Sequence, residues 1–296
     1  MRASRADRTR HRFADGTRVR TSGASDAGTA IFPAFPPASG LEKRVTSTGG
    51  DATTKRCAVA LVRHGHFDRP DDVASAHLPY PLSARGRAES EQATDAIVAQ
   101  AESLGLAIDP QIESSQLLRA HETARVLADA LGARLGRRFQ VRDWPDLLER
   151  SLGSCANLTF GEIERVLALD PRLDPLPEDW RRRPHFRLPV PGAESQMQAG
   201  ERTAARLRER VDFVRAHAER DTLKIVVAHG GCLRHACVHL GVLELEVVSR
   251  LTMGYAESVV IERSPDGSWH QVAGEWRKRL SSTASDGTIV PSEPED

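Results

Sequence analysis

Two adjacent residues, Arg63 and His64, supply the side chains that phosphoryl chemistry requires. They follow the apolar run Cys57–Val62, which predicts a buried strand ending at these two side chains. Ligands of open α/β sheets bind outside the carboxyl ends of the strands. An arginine can grip a phosphate with two hydrogen bonds, and a neutral histidine can attack phosphorus. The pair therefore predicts phosphoryl transfer with His64 as nucleophile.

Three residues elsewhere in the chain would complete such a site. His229 follows a second predicted strand, Lys224–Ala228, and Arg119 begins a predicted helix. Phosphoryl transfer needs fixed positive charge around the phosphate oxygens, which Arg63, Arg119 and His229 can provide. The leaving oxygen needs a proton, for which Glu149 is the candidate donor. We also expect one ring nitrogen of the nucleophile to donate to a backbone carbonyl, which selects the reactive tautomer.

The composition fits one enzyme domain rather than a binding protein for polyanions. The chain has 296 residues, 40% of them hydrophobic, and equal numbers of basic and acidic residues, 41 each. No overall charge would attract nucleic acid or an anionic membrane, so neither is expected as a partner. The cysteines lack CxxC spacing and predict small buried thiols in a reducing, cytoplasmic environment. No apolar stretch approaches the ~20 residues that span a bilayer.

The two ends differ in composition from the centre. Positions 1–20 hold seven arginines, and positions 21–55 are rich in small residues and proline. Such segments bury too little apolar surface to order themselves, so we expect a disordered extension over 1–55 and a disordered tail over 281–296. The folded domain is predicted over 56–280. A solvated extension, or a start assigned too far upstream, is favoured over a targeting peptide, because acidic residues interrupt the arginines.

Strand and helix patterns alternate within the domain. Helices are expected over 83–104, with Ala93, Ala96, Ile97 and Leu104 on one face, and over 118–131, with Gly132 as a stop signal. A capping box at Thr159–Glu162 opens a short helix, and a long helix starts near Ser195. The predicted fold class is a three-layer α/β/α sandwich with a mostly parallel, doubly wound sheet.

Two other segments complete this arrangement. Residues 174–191 carry five prolines and predict an irregular excursion that could form a lid. Residues 258–262 and 269–273 flank an Asp-Gly step and predict an antiparallel hairpin at the edge of the sheet.

Five segments in order resemble the histidine phosphatase superfamily, the phosphoglycerate-mutase-like group. The segments are Leu61–Gly65, Pro81–Gly86, Ser114–Ala124, Leu148–Gly153 and Val227–Arg234, and the resemblance covers about three quarters of the chain. The resemblance implies that His64 becomes phosphohistidine, that Arg63, Arg119 and His229 hold the phosphoryl group, and that Glu149 donates the proton. It also implies help from the backbone N–H of Gly230 and no metal or other cofactor. The expected partner is a small phosphorylated substrate; the oligomeric state stays open.

The chain departs from the family pattern at two places. His66–Pro70 replaces the longer signature that mutases carry after the nucleophile, which disfavours mutase activity. Gly153–Asn157 stands where many relatives have Gly-x-Trp-Glu-Gly, so the wall beside Glu149 is altered. His66 either contacts substrate or faces solvent beside the pocket, and Arg181–Arg183 either binds an anionic substrate or is a solvated run.

The remaining histidines show no shared spacing of metal ligands. They include His77, and the pair His235 and His239 lacks the context of a zinc helix. The Pro191–Ser195 segment, which resembles a family step before the long helix, is assigned a structural role. Three functions are compatible with the sequence: a metal-independent phosphomonoesterase, which is favoured, a phosphoglycerate-type mutase, and a catalytically weak binding protein.

Overall fold

The computed structural model describes residues 55–70, 72–74 and 76–279. The predicted N-terminal extension, apart from Lys55, and the predicted tail lie outside the described residues. The strands are β1 (Cys57–Arg63), β2 (Ala107–Ile108), β3 (Gln111–Ser115), β4 (Gln140–Trp144), β5 (Thr222–Ala228), β6 (Leu251–Thr252), β7 (Ser258–Arg263), β8 (Trp269–Ala273) and β9 (Arg277–Lys278). The α-helices are α1 (Ala84–Leu104), α2 (Leu118–Leu135), α3 (Phe160–Ala168), α4 (Gln196–His217), α5 (Gly230–His239) and α6 (Leu245–Val248).

The central sheet has the order β4-β3-β5-β1-β7-β8, with β2 paired to β5. Its pairs are parallel from β4 through β1, and β7 and β8 are antiparallel additions at one edge. Every residue of β1 and β5 is buried, because both strands carry apolar side chains on both faces. Arg63 lies opposite Ala228 in this register. The residues that follow the two strands, His64 and His229, therefore leave the sheet at the same end.

Helices cover both faces of the sheet, which makes three layers. Val59 and Leu61 of β1 pack with Leu207 and Val211 of α4 on one face. Ala60 of β1 and its alternate neighbours pack with α1 and α2 on the other. The predicted fold class is confirmed. Within the described residues, no helix is both long enough and apolar enough to cross a bilayer.

The structure corrects two details of the predicted helices. Gly132 does not stop α2, which continues to Leu135 and ends at Gly136, whose φ of 65° is left-handed. A glycine inside a helix costs only about 1 kcal/mol, so Gly132 is tolerated. Ala96 is exposed, although it was expected on the buried face of α1. That face instead carries Ser90 and Thr94 beside Ile97, and polar residues on a buried face conceal its pattern.

A smaller apolar cluster lies beside the sheet and covers the segment after the predicted proton donor. It joins α3 to the proline-rich segment through Ile163 and Trp180, which are almost fully buried. As predicted, the segment from 174 to 191 is irregular, with a single 3-10 turn at Trp180–Arg182. The capping box at Thr159, the start of a long helix near Ser195 and the β7–β8 hairpin are also confirmed, and a second capping box at Ser195 opens α4. All four cysteines are buried and free.

Candidate active site

The two strand-end histidines lie against each other at the carboxyl end of the sheet. The backbone N–H of His64 donates to the carbonyl of Ala228 at 3.0 Å, which links the ends of β1 and β5. The ring centroids of His64 and His229 are 5.1 Å apart. Both residues are almost fully buried. Parallel pairing of two strands thus places two imidazoles in one small, largely desolvated space.

The hydrogen bonds of His64 determine its tautomer. Its Nδ1 lies 2.8 Å from the carbonyl oxygen of Gly65, and its Nε2 lies 3.2 Å from Nε of Arg119. A carbonyl can only accept and a guanidinium can only donate. Nδ1 therefore carries the hydrogen, and Nε2 presents a lone pair. Nδ1 thus makes the backbone contact that a nucleophilic histidine needs to fix its tautomer.

Backbone carbonyls and aromatic rings hold the two predicted arginines. Arg119 is fully buried and donates through Nη1 and Nη2 to the carbonyls of Leu78 and Ala76, at 3.0 and 2.9 Å. Arg63 donates through Nη1 to the carbonyl of Met253 at 2.7 Å, and its guanidinium lies 4.2 Å from the ring centroid of Tyr255. The guanidinium of Arg119 is thereby fixed beside the ring of His64, and that of Arg63 lies on the ring of Tyr255, whose centroid is 5.8 Å from that of His64.

His229 is a neutral histidine held by a serine. Its Nε2 lies 2.8 Å from Oγ of Ser115, the last residue of β3. Among the described residues, no hydrogen-bond partner faces its buried Nδ1. Burial, followed by the charges of Arg119 and His64, lowers the pKa of His229 well below its usual value. The ring is therefore uncharged at neutral pH and retains one nitrogen for a further hydrogen bond.

The carboxylate of Glu149 lies at the N-terminus of α5. Its Oε2 accepts from the backbone N–H of Gly231 at 3.0 Å, and its Oε1 accepts from that of Arg150 at 2.8 Å. The predicted contributor Gly230 is the first residue of α5, immediately after His229. The structure thus brings the carboxylate of Glu149 to the helix that begins where His229 leaves the sheet.

His66 lies at the rim of this group and is half-buried. Its Nδ1 is 2.8 Å from Oγ of Ser83, the residue that caps α1, and its ring meets that of Tyr255 edge-on at 5.3 Å. The ring of His66 thus packs against Ser83 and Tyr255 rather than extending into solvent. A contact of His66 with substrate stays a prediction.

Four residues at the site were not identified from the sequence. Phe67 lies under the guanidinium of Arg119 at 4.8 Å, and Tyr255 lies under that of Arg63. Ser115 holds His229, and His77 lies 2.9 Å through Nε2 from the carbonyl of Glu149. Of these, only Ser115 had a usable signal, because it belongs to the segment Ser114–Ala124 that carries Arg119. His77 and Tyr255 lie in aperiodic segments that carry no such signal.

Comparison with known proteins assigns the family. A family model described as histidine phosphatase superfamily (branch 1) matches residues 59–275. The chain belongs to that superfamily. Among solved structures, a mycobacterial glucosyl-3-phosphoglycerate phosphatase is 26% identical, with 73% of this chain and 97% of that chain covered and a TM-score of 0.54. An α-ribazole phosphatase from Shigella flexneri is 20% identical over 73% and 94% of the two chains, with a TM-score of 0.54. No curated protein sequence matches.

The segment Gly153–Asn157, which departs from the family pattern, contains one left-handed residue and one buried thiol. Asn157 has a φ of 71°, a left-handed conformation that asparagine tolerates better than most residues. Cys155 is buried in the same cluster as Trp180.

The segment Pro191–Ser195 has the structural role that was expected of it. Glu194 forms an ion pair with Arg202 at 2.9 Å, and Ser195 caps α4. Among the residues that the structure describes, no group of three or more potential ligands could hold a metal ion.

Proposed function

We propose that the protein is a phosphomonoester hydrolase that forms a phosphohistidine at His64 and needs no metal ion. The observation that carries this proposal is the tautomer of His64, whose Nδ1 donates to the Gly65 carbonyl while Nε2 faces Arg119. A nucleophilic nitrogen beside a fixed cation is the arrangement that attack on a phosphate requires. Superfamily membership supports the same chemistry.

The reaction would proceed in two balanced steps. In the first, Nε2 of His64 forms a bond to phosphorus, the bond to the ester oxygen breaks, and protonated Glu149 transfers its proton to that oxygen. In the second, a water molecule attacks phosphorus, the P–N bond breaks, and the Glu149 carboxylate takes the proton of the water. The products are an alcohol and inorganic phosphate, and both side chains return to their starting states.

The charge that stabilises the transferring phosphoryl group would come from Arg63 and Arg119. His229 would add a neutral donor if the Ser115 hydroxyl donates to Nε2, because the hydrogen of the ring then lies on the unpartnered Nδ1. The N-terminus of α5, which begins at Gly230, offers a further N–H group. Preorganised donors of this kind supply the electrostatic stabilisation for which other phosphatases use a metal.

A small phosphorylated metabolite is the proposed substrate class. Arg63, His64, Arg119, Glu149 and His229 are each no more than 3% exposed. A phosphate on a short ester can enter such a confined site more readily than one on the surface of a folded protein. The 26% identical mycobacterial structure is named for a small-metabolite phosphatase, which supports this class without specifying the compound.

The test is hydrolysis of p-nitrophenyl phosphate in the presence of EDTA, between pH 5 and 8. Wild type should turn over, His64→Ala should lose turnover by at least about a thousandfold, and His270→Ala, on the exposed side of β8, should match wild type. Acid-labile 32P-labelling of the wild type, absent in His64→Ala, should accompany turnover. Equal background rates in all three proteins would refute the phosphatase proposal and return attention to a mutase or a binding protein.

A further inference from the structure

One arginine outside the phosphate site holds the main chain that carries Glu149. Arg202, on α4, donates through Nη1 to the carbonyls of Asp146 and Leu148 at 3.0 and 2.7 Å. Its Nη2 donates to the carbonyl of Glu149 at 3.0 Å. Nε and Nη2 also donate to the two carboxylate oxygens of Glu194, both at 2.9 Å. These contacts use all five N–H donors of the guanidinium.

Glu194 connects this arginine to the other side of the same segment. Its Oε2 accepts from the backbone N–H of Ser151 at 3.1 Å, and its own backbone N–H donates to the carbonyl of Ser151 at 2.8 Å. Burial opposes its charge, but the hydrogen bonds and charge of Arg202 lower its pKa below the usual value. The ion pair therefore spans the main chain on both sides of Glu149.

His77 is a second donor to the same carbonyl. Its Nε2 lies 2.9 Å from the Glu149 oxygen and must carry the hydrogen, because a carbonyl only accepts. The carbonyls of its two neighbours, Ala76 and Leu78, hold the guanidinium of Arg119. The segment 76–78 thus contacts the proposed proton donor with its central side chain and the proposed phosphate ligand with its flanking backbone.

Such support matters because Glu149 lies on irregular backbone. It follows a 3-10 turn at Pro145–Leu147 and belongs to no strand or helix. The hydrogen bonds of a helix or strand therefore do not fix the backbone of Glu149. Proton transfer nevertheless requires the acid to be positioned, to within a few tenths of an ångström, at hydrogen-bonding distance from the leaving oxygen.

We propose that Arg202 and His77 are positioning residues that hold Glu149 in place for proton transfer to the leaving group. The inference rests on the proposed function, in which Glu149 is the acid. It predicts a specific signature in the first step: loss of either residue slows phosphorylation of His64 by esters whose leaving group needs a proton, and spares phosphorylation by esters whose leaving group does not. A purely structural role would lower both rates together.

The main test compares Arg202→Met and Arg202→Lys with a matched control, Arg206→Met. Arg206 lies one turn further along α4 and contacts the side chains of Asp146 and Glu209 rather than the carbonyl of Glu149. On phenyl phosphate, Arg202→Met should lower kcat/KM, which reports the phosphorylation of His64 alone, by about 30-fold or more, and on 2,4-dinitrophenyl phosphate by less than about threefold. Arg206→Met should stay within about twofold of wild type on both. Arg202→Lys retains the positive charge but lacks the planar guanidinium with its five N–H donors. Its rates should therefore resemble those of Arg202→Met.

Variants of His77 provide an independent test, whose result does not depend on how the Arg202 variants fold. His77→Leu should show the same selective loss, by about tenfold on phenyl phosphate, and His77→Gln should restore most of it, since its amide N–H can reach the carbonyl. Thermal unfolding establishes which variants are folded. Equal losses on the two esters, or no rescue by His77→Gln, would overturn the inference. Failure of wild type on both esters, or turnover that survives His64→Ala, would instead overturn the proposed function.

Discussion

A methyl group added at Gly65 should separate the geometry of the nucleophile from the folding of the domain. A Cβ at this position would lie 2.5 Å from the carbonyl oxygen of Gly86 and 2.9 Å from Oγ of Ser90. Both belong to α1, so the loop that carries His64 rests directly on the helix backbone. Ordinary contact begins near 3.4 Å, and the loop must therefore retreat by about 0.9 Å.

This displacement of the loop alters the hydrogen bonds of His64, the proposed nucleophile. The carbonyl of Gly65 accepts from Nδ1 of His64, and Nε2 faces an arginine on α2, which does not move with the loop. A displacement of about 1 Å at a reacting group costs roughly a hundredfold in rate. The crowding itself should cost about 1–3 kcal/mol of the free energy of unfolding. We therefore expect Gly65→Ala to fold with a lowered melting temperature and to lose kcat about a hundredfold.

The assay measures kcat on p-nitrophenyl phosphate well below the melting temperature of the variant, with circular dichroism to show that it is folded. Gly161→Ala is the control, because that glycine lies in the first turn of α3 and a Cβ there meets nothing within 4 Å. It should keep full activity and gain slightly in stability. A folded Gly65→Ala variant with kcat within threefold of wild type would refute the argument from loop geometry.

Three further outcomes follow from buried or strained residues. Burial lowers the pKa of His229 well below its usual value and that of His235 to about 3, so only the unfolded chain takes up these protons near pH 6.5. The free energy of unfolding should therefore fall as pH drops from 6.5 to 5, by about 1 kcal/mol per pH unit for each histidine; urea titrations should show a shallower slope for His235→Gln, and an unchanged slope would contradict this. Lys224→Met should lower the free energy of unfolding by about 3 kcal/mol in urea denaturation, because Lys224 lies 2.9 Å from the fully buried Glu113. Adding Glu113→Gln should recover part of this loss, and a Lys224→Met variant as stable as wild type would contradict the prediction. Asn157→Gly should leave the melting temperature nearly unchanged, whereas Asn157→Val should lower the free energy of unfolding by about 1–2 kcal/mol; equal effects would show that the left-handed φ is not the constraint.

The elements that the sequence predicted well are those whose signal is local. The run that ends at Arg63 is apolar throughout, and α2 repeats its apolar residues at helical spacing, so both were identified from short windows. Strand β3 was missed, because Glu113 and its serine neighbours resemble a loop in sequence. Its burial depends on an ion pair with Lys224, a residue more than a hundred positions away. No local pattern reports such a partner.

The same distinction applies to the site. The positions of His64 and His229 at the ends of two strands were predictable from the sequence, since strand polarity sends both chain ends to one edge of a parallel sheet. The contacts around them were not. The contact of Arg119 with Nε2 of His64, the lowered pKa of His229 and the contacts of Arg202 and His77 with Glu149 depend on burial and on hydrogen bonds between segments 50 or more residues apart. Only the packed tertiary structure decides these, because hydrogen-bond geometry and desolvation depend on neighbours that chain order does not specify.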